Sequence, residues 1–472
     1  MDRILELILV LAIIGASLAF GGVQPITYTL VEAVLFLALT ILLFSQTRKG
    51  RIRLPAPLWP FLFGFWVLLQ VIPLPVQVIS VLSPARDVDS KLESLLAVQQ
   101  SFDTLSVNAH DTGIALMKFL AYLSGFLLAA YLFDSGKRKS LLIRCLILLG
   151  VFEAAYGIVQ YTTGWQKIFT YSKIFDLGEA TGTYINHNHF AGFLELTLPF
   201  VAAMVFYSFQ LWLERRRTSG KRDPRREASS KGLQAIAYLF LLVIMVVALI
   251  FSHSRGGILA TVFSLAFLAI LGQLKIGRRL WLLGALLFAM CVVGYGLWIG
   301  LNPVLARFEA IGKPGLLRME SRVGFWSDEI RLVRDHPVIG TGLGTFGSTF
   351  RQYQSSMVDS YVDHAHNDYL EFSAETGLVG GALLFLPIFY LLGRMVISFL
   401  DDPRRYRRAV TLGCIGSTLA LLIHSVVDFN LQIPANALVF AAVLGIGYKA
   451  TIVERSAEEP STPILAESPP WK

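Results

Sequence analysis

Apolar residues run along this chain in unbroken blocks of roughly 18 to 25 positions, separated by short polar or basic connections and one long polar excursion. A helix of that length crosses the ~30 Å hydrocarbon layer, and the blocks are too continuous for the alternation of a membrane β-barrel strand. The pattern predicts an all-α polytopic membrane protein with about twelve transmembrane helices. They fall near 4–22, 26–45, 56–74, 112–133, 140–161, 188–213, 233–253, 256–273, 280–301, 378–400, 409–428 and 433–451. The chain then divides into 1–302 with the first nine spans, a large outer loop over 303–377 with short helices, the last three spans over 378–451, and a tail over 452–472. That tail is polar and proline-rich, and is read as disordered and cytoplasmic. The first block, with its small-residue stretch Gly15-Ala-Ser-Leu-Ala19, has the look of a signal peptide, but the many spans that follow favour a membrane helix.

Composition agrees with this pattern. A 472-residue chain has room for two or three soluble domains, yet 54% of the residues are hydrophobic and only 16% are charged. The net charge of +8 does not point to nucleic acid, because the basic residues sit in clusters between spans rather than along one face. Arg48-Lys-Gly-Arg-Ile-Arg53, Lys137-Arg-Lys139, the run from Arg215 to Lys231, Lys275 with Arg278-Arg279, and Arg404-Arg-Tyr-Arg-Arg408 all follow even-numbered spans. The positive-inside rule then puts both termini in the cytoplasm and the odd connections outside. The basic clusters read as topology determinants facing membrane lipids. Cys145, Cys291 and Cys414 lie far apart inside apolar blocks, so no disulfide or metal is assigned to them.

With this topology, all 8 histidines fall on or beside the outer face. The richest stretch is Tyr361-Val-Asp-His-Ala-His-Asn-Asp-Tyr-Leu-Glu-Phe-Ser-Ala-Glu-Thr-Gly-Leu-Val-Gly-Gly381. Asp363 is expected to cap a helix there and Gly377 to end it, which sets His366, Tyr369, Leu370 and Ser373 on one face. An imidazole held beside carboxylates is suited to taking a proton from a hydroxyl. Asn367 follows His366 directly, and His364 is expected to cap the helix or pair with Asp368. His364 and His366 at a spacing of two could ligate a metal only from an extended segment with a third ligand from elsewhere, and with no HExxH or paired-cysteine motif beside them no metal is assigned.

Between the seventh and eighth spans, Phe251-Ser-His-Ser-Arg-Gly-Gly-Ile-Leu259 puts His253 and Arg255 where one helix gives way to the next. Gly256 and Gly257 leave room for a phosphate to reach both the guanidinium and the free amides of a helix start. An arginine that merely marks the span end is the alternative. In the long loop, Arg318, Arg322, Trp326, Ile330 and Val333 follow a helical repeat suited to the membrane interface, with Arg322 a second anion ligand or a partner of Asp328 or Glu329. Gly340-Thr-Gly-Leu-Gly-Thr-Phe346 lacks the preceding strand of a dinucleotide fingerprint and reads as a tight turn against the membrane domain. His187 and His189 open the sixth span. His424 and Asp428, one helical turn apart, are placed to form a buried pair at the end of the eleventh.

His366-Asn367, nine residues, then Gly377-Leu-Val-Gly-Gly381, together with Arg255 and Leu259, resembles the signature of the O-antigen ligase and polymerase superfamily. The stretch Asp335-His-Pro-Val-Ile-Gly-Thr-Gly-Leu-Gly-Thr-Phe346 is similar to the segment that precedes that signature. The resemblance implies a GT-C-like inverting glycosyltransferase, without cofactor or metal, working on the periplasmic side of the bacterial inner membrane. It implies an undecaprenyl-pyrophosphate-linked glycan as donor, and lipid A core or another envelope glycan as acceptor. By motif position His366 is the catalytic base, and Arg255 and Arg322 hold the pyrophosphate. His187, His189, His253, Asn367, Asp363, His424, Asp428 and Trp326 are expected to line the substrate site. O-antigen ligation is the leading expectation, with a polymerase or a protein O-oligosaccharyltransferase as alternatives. From another class, a lipid-linked glycan transporter would carry polar residues from both faces to the midplane, whereas here they crowd the outer face.

Overall fold

The computed structural model describes residues 1–48, 50, 56–84, 101–133, 136–217, 224–276, 322–355 and 362–452. The side chains of 137, 217, 224–229, 275–276 and 322–325 are outside that description. The helices are α1 (Asp2–Leu18), α2 (Pro25–Arg48), α3 (Trp59–Val71), α4 (Val76–Leu82), α5 (Ala109–Leu132), α6 (Gly136–Thr163) and α7 (His187–Arg217). There follow α8 (Pro224–Phe251), α9 (Arg255–Ile276), α10 (Arg322–Asp335), α11 (Phe346–Thr349), α12 (Asp368–Asp401), α13 (Arg405–His424) and α14 (Pro434–Thr451). Strands are confined to two short antiparallel pairs among the described residues, Leu74–Pro75 with Phe102–Asp103 and Lys167–Ile168 with Tyr171–Ser172.

Every expected span coincides with one of these helices except that near 280–301, which lies outside the described residues, as do Cys291, Arg318 and the tail beyond residue 452. Seven of the helices are long and apolar enough by themselves to cross a membrane. The fold is therefore all-α and polytopic, while the count of twelve stays an expectation. Amphipathic spacing explains how α1 sits: Leu5, Leu9, Ile13 and Ala16 are buried on one face, and Ile4, Leu7 and Leu11 are exposed on another. Exposed leucine is the lipid-facing pattern of a membrane helix, since lipid is as apolar as the core. The core is centred on α7, which packs against α6, α8, α9, α13 and α14.

The turn after α10 docks onto the start of α12. The Thr341 and Gly342 N–H groups donate to the carbonyls of Ala374 and Glu375, at 3.0 and 2.8 Å. Gln70 Nε2 donates to the carbonyls of Ile339 and Glu375, and its Oε1 accepts the Leu343 N–H. The expected tight turn against the membrane domain is thus present. Gly377 breaks α12 with φ 70° and ψ 172°, a conformation essentially restricted to glycine. A Cβ there would stand 2.0 Å from the Val338 carbonyl oxygen. Residues 368–376 therefore form a short helix held by the turn, and the membrane-length helix continues beyond it.

Candidate functional site

The expected register around His366 needs correction. Asn367, not Asp363, caps α12: its Oδ1 accepts the Leu370 N–H at 3.1 Å. Asp363 is exposed, and His366 precedes the helix with φ 52°. His366 consequently shares no helical face with Tyr369 and Ser373. Asn367 takes the cap because a short side chain on extended backbone, directly before the first turn, reaches the third amide on, whereas Asp363 stands too far ahead of the helix start. The left-handed conformation at His366 costs backbone energy that only the surrounding contacts can hold in place.

Three imidazoles gather on one ring. His364 stacks on Phe429 with centroids 4.2 Å apart, while His189 and His366 meet it edge-on at 4.7 and 4.9 Å. His366 Nδ1 faces Asp428 Oδ1 at 3.4 Å, leaving Nε2 as the other ring nitrogen. His364 pairs with Glu371, not with the expected Asp368: Nδ1 lies 2.7 Å from Glu371 Oε1, and Oε2 of the same carboxylate accepts the Ala365 N–H. Burial disfavours the charged His364 ring, but the Glu371 carboxylate outweighs it and lifts the group to about 9. Asp368 instead accepts the Ser425 hydroxyl at 2.7 Å and the Leu431 N–H at 3.2 Å. These bonds tie the 425–431 turn to the start of α12.

His424 and Asp428 form the expected buried pair, with Nε2 and Oδ2 3.7 Å apart and relative exposures of 1% and 0%. α13 ends at His424, so Asp428 belongs to the following turn. The other ring nitrogen of His424 lies 3.0 Å from Glu195 Oε1 on α7.

Arg255 opens α9 and is exposed, with no hydrogen bond or ion pair among the described residues. Ser254 caps this helix by accepting the Gly257 N–H, and the first turn leaves further amides for an anion. Gly256 lies on the His424 ring, where a Cβ would stand 2.8 Å from Cδ2 and Nε2. Arg255 is thus linked to His366 through Gly256, His424 and Asp428. The structure brings His189, His364, His366, His424, Asp428 and the Arg255 turn into one region.

Arg322 opens α10, but its side chain is outside the description. Asp328 pairs with Arg331 at 2.7 Å. Glu329 is fully buried, and burial together with Glu371 and Glu375 pushes it up to about 10. Trp326 is half-buried on the same helix.

His187 and His253 form a neighbouring group. His187 Nδ1 lies 2.8 Å from both Asp176 Oδ2 and Glu179 Oε2, and His253 Nδ1 lies 3.9 Å from Glu179 Oε1. The donor atoms of Asp176, Glu179 and His187 lie within 4.8 Å of one another and could hold a cation, though the ring already bridges both carboxylates.

Beside His364 opens a cavity of about 430 Å³, running between α3, α5, α12 and α14. Its walls are largely apolar, including Phe63, Phe119, Phe126, Leu384, Phe440 and Leu444, with Lys118 and Asp111 among the polar exceptions. Sequence reasoning missed Phe429, Glu195 and Glu371. An acid inside an apolar block was a readable signal for Glu195, whereas nothing local marks Phe429 as a shared platform.

Residues 240–385 match the family model described as O-antigen ligase, which bears out the resemblance carried by the motifs. No curated protein matches the chain.

Proposed function

We propose that this chain, with an O-antigen ligase domain over residues 240–385, transfers a preassembled glycan from undecaprenyl pyrophosphate to a hydroxyl of an envelope acceptor, with lipid A core as the leading candidate. The observation that carries the reading is the arrangement of an open arginine and a carboxylate-backed imidazole around one buried pair, His424 and Asp428. His366 Nε2 takes the proton of the acceptor hydroxyl while Nδ1 stays toward Asp428. The acceptor oxygen bonds to the anomeric carbon as that carbon's bond to the pyrophosphate oxygen breaks. Attack from the face opposite the leaving group inverts the anomeric centre.

Charge then develops on the pyrophosphate, and Arg255 with the amides of the α9 start stabilises it. Arg322 is the second candidate ligand by motif. The apolar cavity beside His364 suits the polyprenyl chain, which would leave the pyrophosphate at the outer face. Periplasmic orientation, inversion and independence from metal all belong to this proposal.

A deletion strain examined by glycan gel and mass spectrometry, then complemented with the wild type or with His366→Ala, tests it. Loss of long glycan from lipid A core, with polymer accumulating on the lipid carrier, is the expected result, and His366→Ala fails to restore ligation although it inserts normally. Single repeat units left on the acceptor would assign a polymerase, and loss of glycan from proteins alone a protein glycosyltransferase. Intact surface glycans with lipid-linked precursor trapped inside would overturn transfer in favour of transport.

A further inference from the structure

His424 and Asp428 sit too deep to meet a sugar, so any part they take in the proposed reaction runs through His366. Their side chains are 1% and 0% exposed. Glu195, the carboxylate beyond them, is also 0% exposed and comes from α7, a different part of the chain. The three form a continuous line. Glu195 Oε1 lies 3.0 Å from His424 Nδ1, His424 Nε2 lies 3.7 Å from Asp428 Oδ2, and Asp428 Oδ1 lies 3.4 Å from His366 Nδ1. Asn430 flanks the line with Nδ2 3.2 Å from His424 Nδ1, and its Oδ1 accepts from Asn436.

We infer that Glu195, His424 and Asp428 are positioning residues that aim and electrostatically support His366, and that none of them binds substrate. The inference rests on the reading of His366 as the base. When that ring takes a proton, positive charge appears beside a carboxylate with no exposed surface of its own, so the interaction is stronger than between two surface groups. The carboxylate must nevertheless point the right way, and His424, held by Glu195 from the opposite side, fixes it. The same His424 ring is the floor on which Gly256 rests, so one buried side chain sets both the base and the turn that carries Arg255.

The test uses the full-length protein in proteoliposomes with radiolabelled undecaprenyl-pyrophosphate oligosaccharide as donor and lipid A core at saturation as acceptor, and reads kcat and the donor KM separately. Asp428→Asn is expected to lower kcat about a hundredfold or more while the donor KM holds, as for other carboxylates that orient a catalytic imidazole. Glu195→Gln is expected to lower kcat about tenfold, and the double variant to be no slower than Asp428→Asn alone, because a chain already broken loses nothing more. Asp428→Glu, which restores a carboxylate, is expected to recover part of the rate. Losses that multiply in the double variant, or a donor KM that rises in Asp428→Asn, would overturn the inference. Where Asp428→Asn does not accumulate in the membrane, Asp428→Ser, which keeps the His424 ring under Gly256 in place, takes its position in the same cycle. Inactive His366→Ala beside fully active Asp428→Asn defeats the positioning chain alone, whereas active His366→Ala defeats the base itself.

Discussion

A lysine at position 255 would keep one positive charge and lose the planar fork that grips two phosphate oxygens at once. Arg255→Lys is therefore expected to slow transfer about tenfold to a hundredfold, measured as release of undecaprenyl pyrophosphate at fixed membrane abundance. Unchanged activity would return Arg255 to the role of a span-end marker. At His364 the relevant variable is pH. The folded group titrates near 9 against an ordinary 6.5, so its pairing with Glu371 stabilises the fold fully below about 6.5 and is lost as pH rises through about 9. The melting-temperature difference between wild type and His364→Gln should accordingly shrink across that interval.

At the scale of elements, two features, one in α12 and one in α10, make opposite predictions. Gly377 allows α12 to break where the 337–345 turn needs to dock, and Gly377→Ala would force a Cβ into the Val338 carbonyl. A loss of roughly 1–3 kcal/mol is expected for the backbone conformation alone, seen as a lower melting temperature with transfer impaired. Glu329 works the other way. Its folded value of about 10 lies above the ordinary 4.5, so the folded state is penalised progressively as pH rises from about 4.5 toward 10. Glu329→Gln removes that penalty, and should raise the melting temperature more at pH 8 than at pH 5.

Across the whole molecule, the membrane helices were legible because burial in lipid demands long apolar blocks, a signal that needs no partner elsewhere in the chain. Arg255 and the His366 stretch were legible because glycines and charges at a span end are unusual in themselves. The register at His366 was not, since Asp363 and Asn367 are both capable caps and only the docking of Asp368 onto Ser425 and Leu431 selects the second. Phe429 was invisible as a site for the same reason, and Glu195, although conspicuous as an acid inside an apolar block, gave no sign of its partner His424, which comes from a helix distant in sequence. Narrowing the cavity between α5 and α14 at Ala437, which lines it, tests the lipid reading at this scale, since Ala437→Trp should raise the donor KM several-fold and leave kcat at saturation nearly unchanged.

The openness of Arg255 also has a consequence for turnover. If Arg255 grips the pyrophosphate as proposed, a guanidinium with no partner of its own among the described residues would hold the spent carrier as readily as the loaded one, because the pyrophosphate is common to both. Escape of undecaprenyl pyrophosphate into the bilayer would then compete with the arrival of the next donor. Enzyme working in a membrane where the spent carrier is not recycled should stall after few cycles, and adding a pyrophosphatase that converts it to the monophosphate should set the cycle running again.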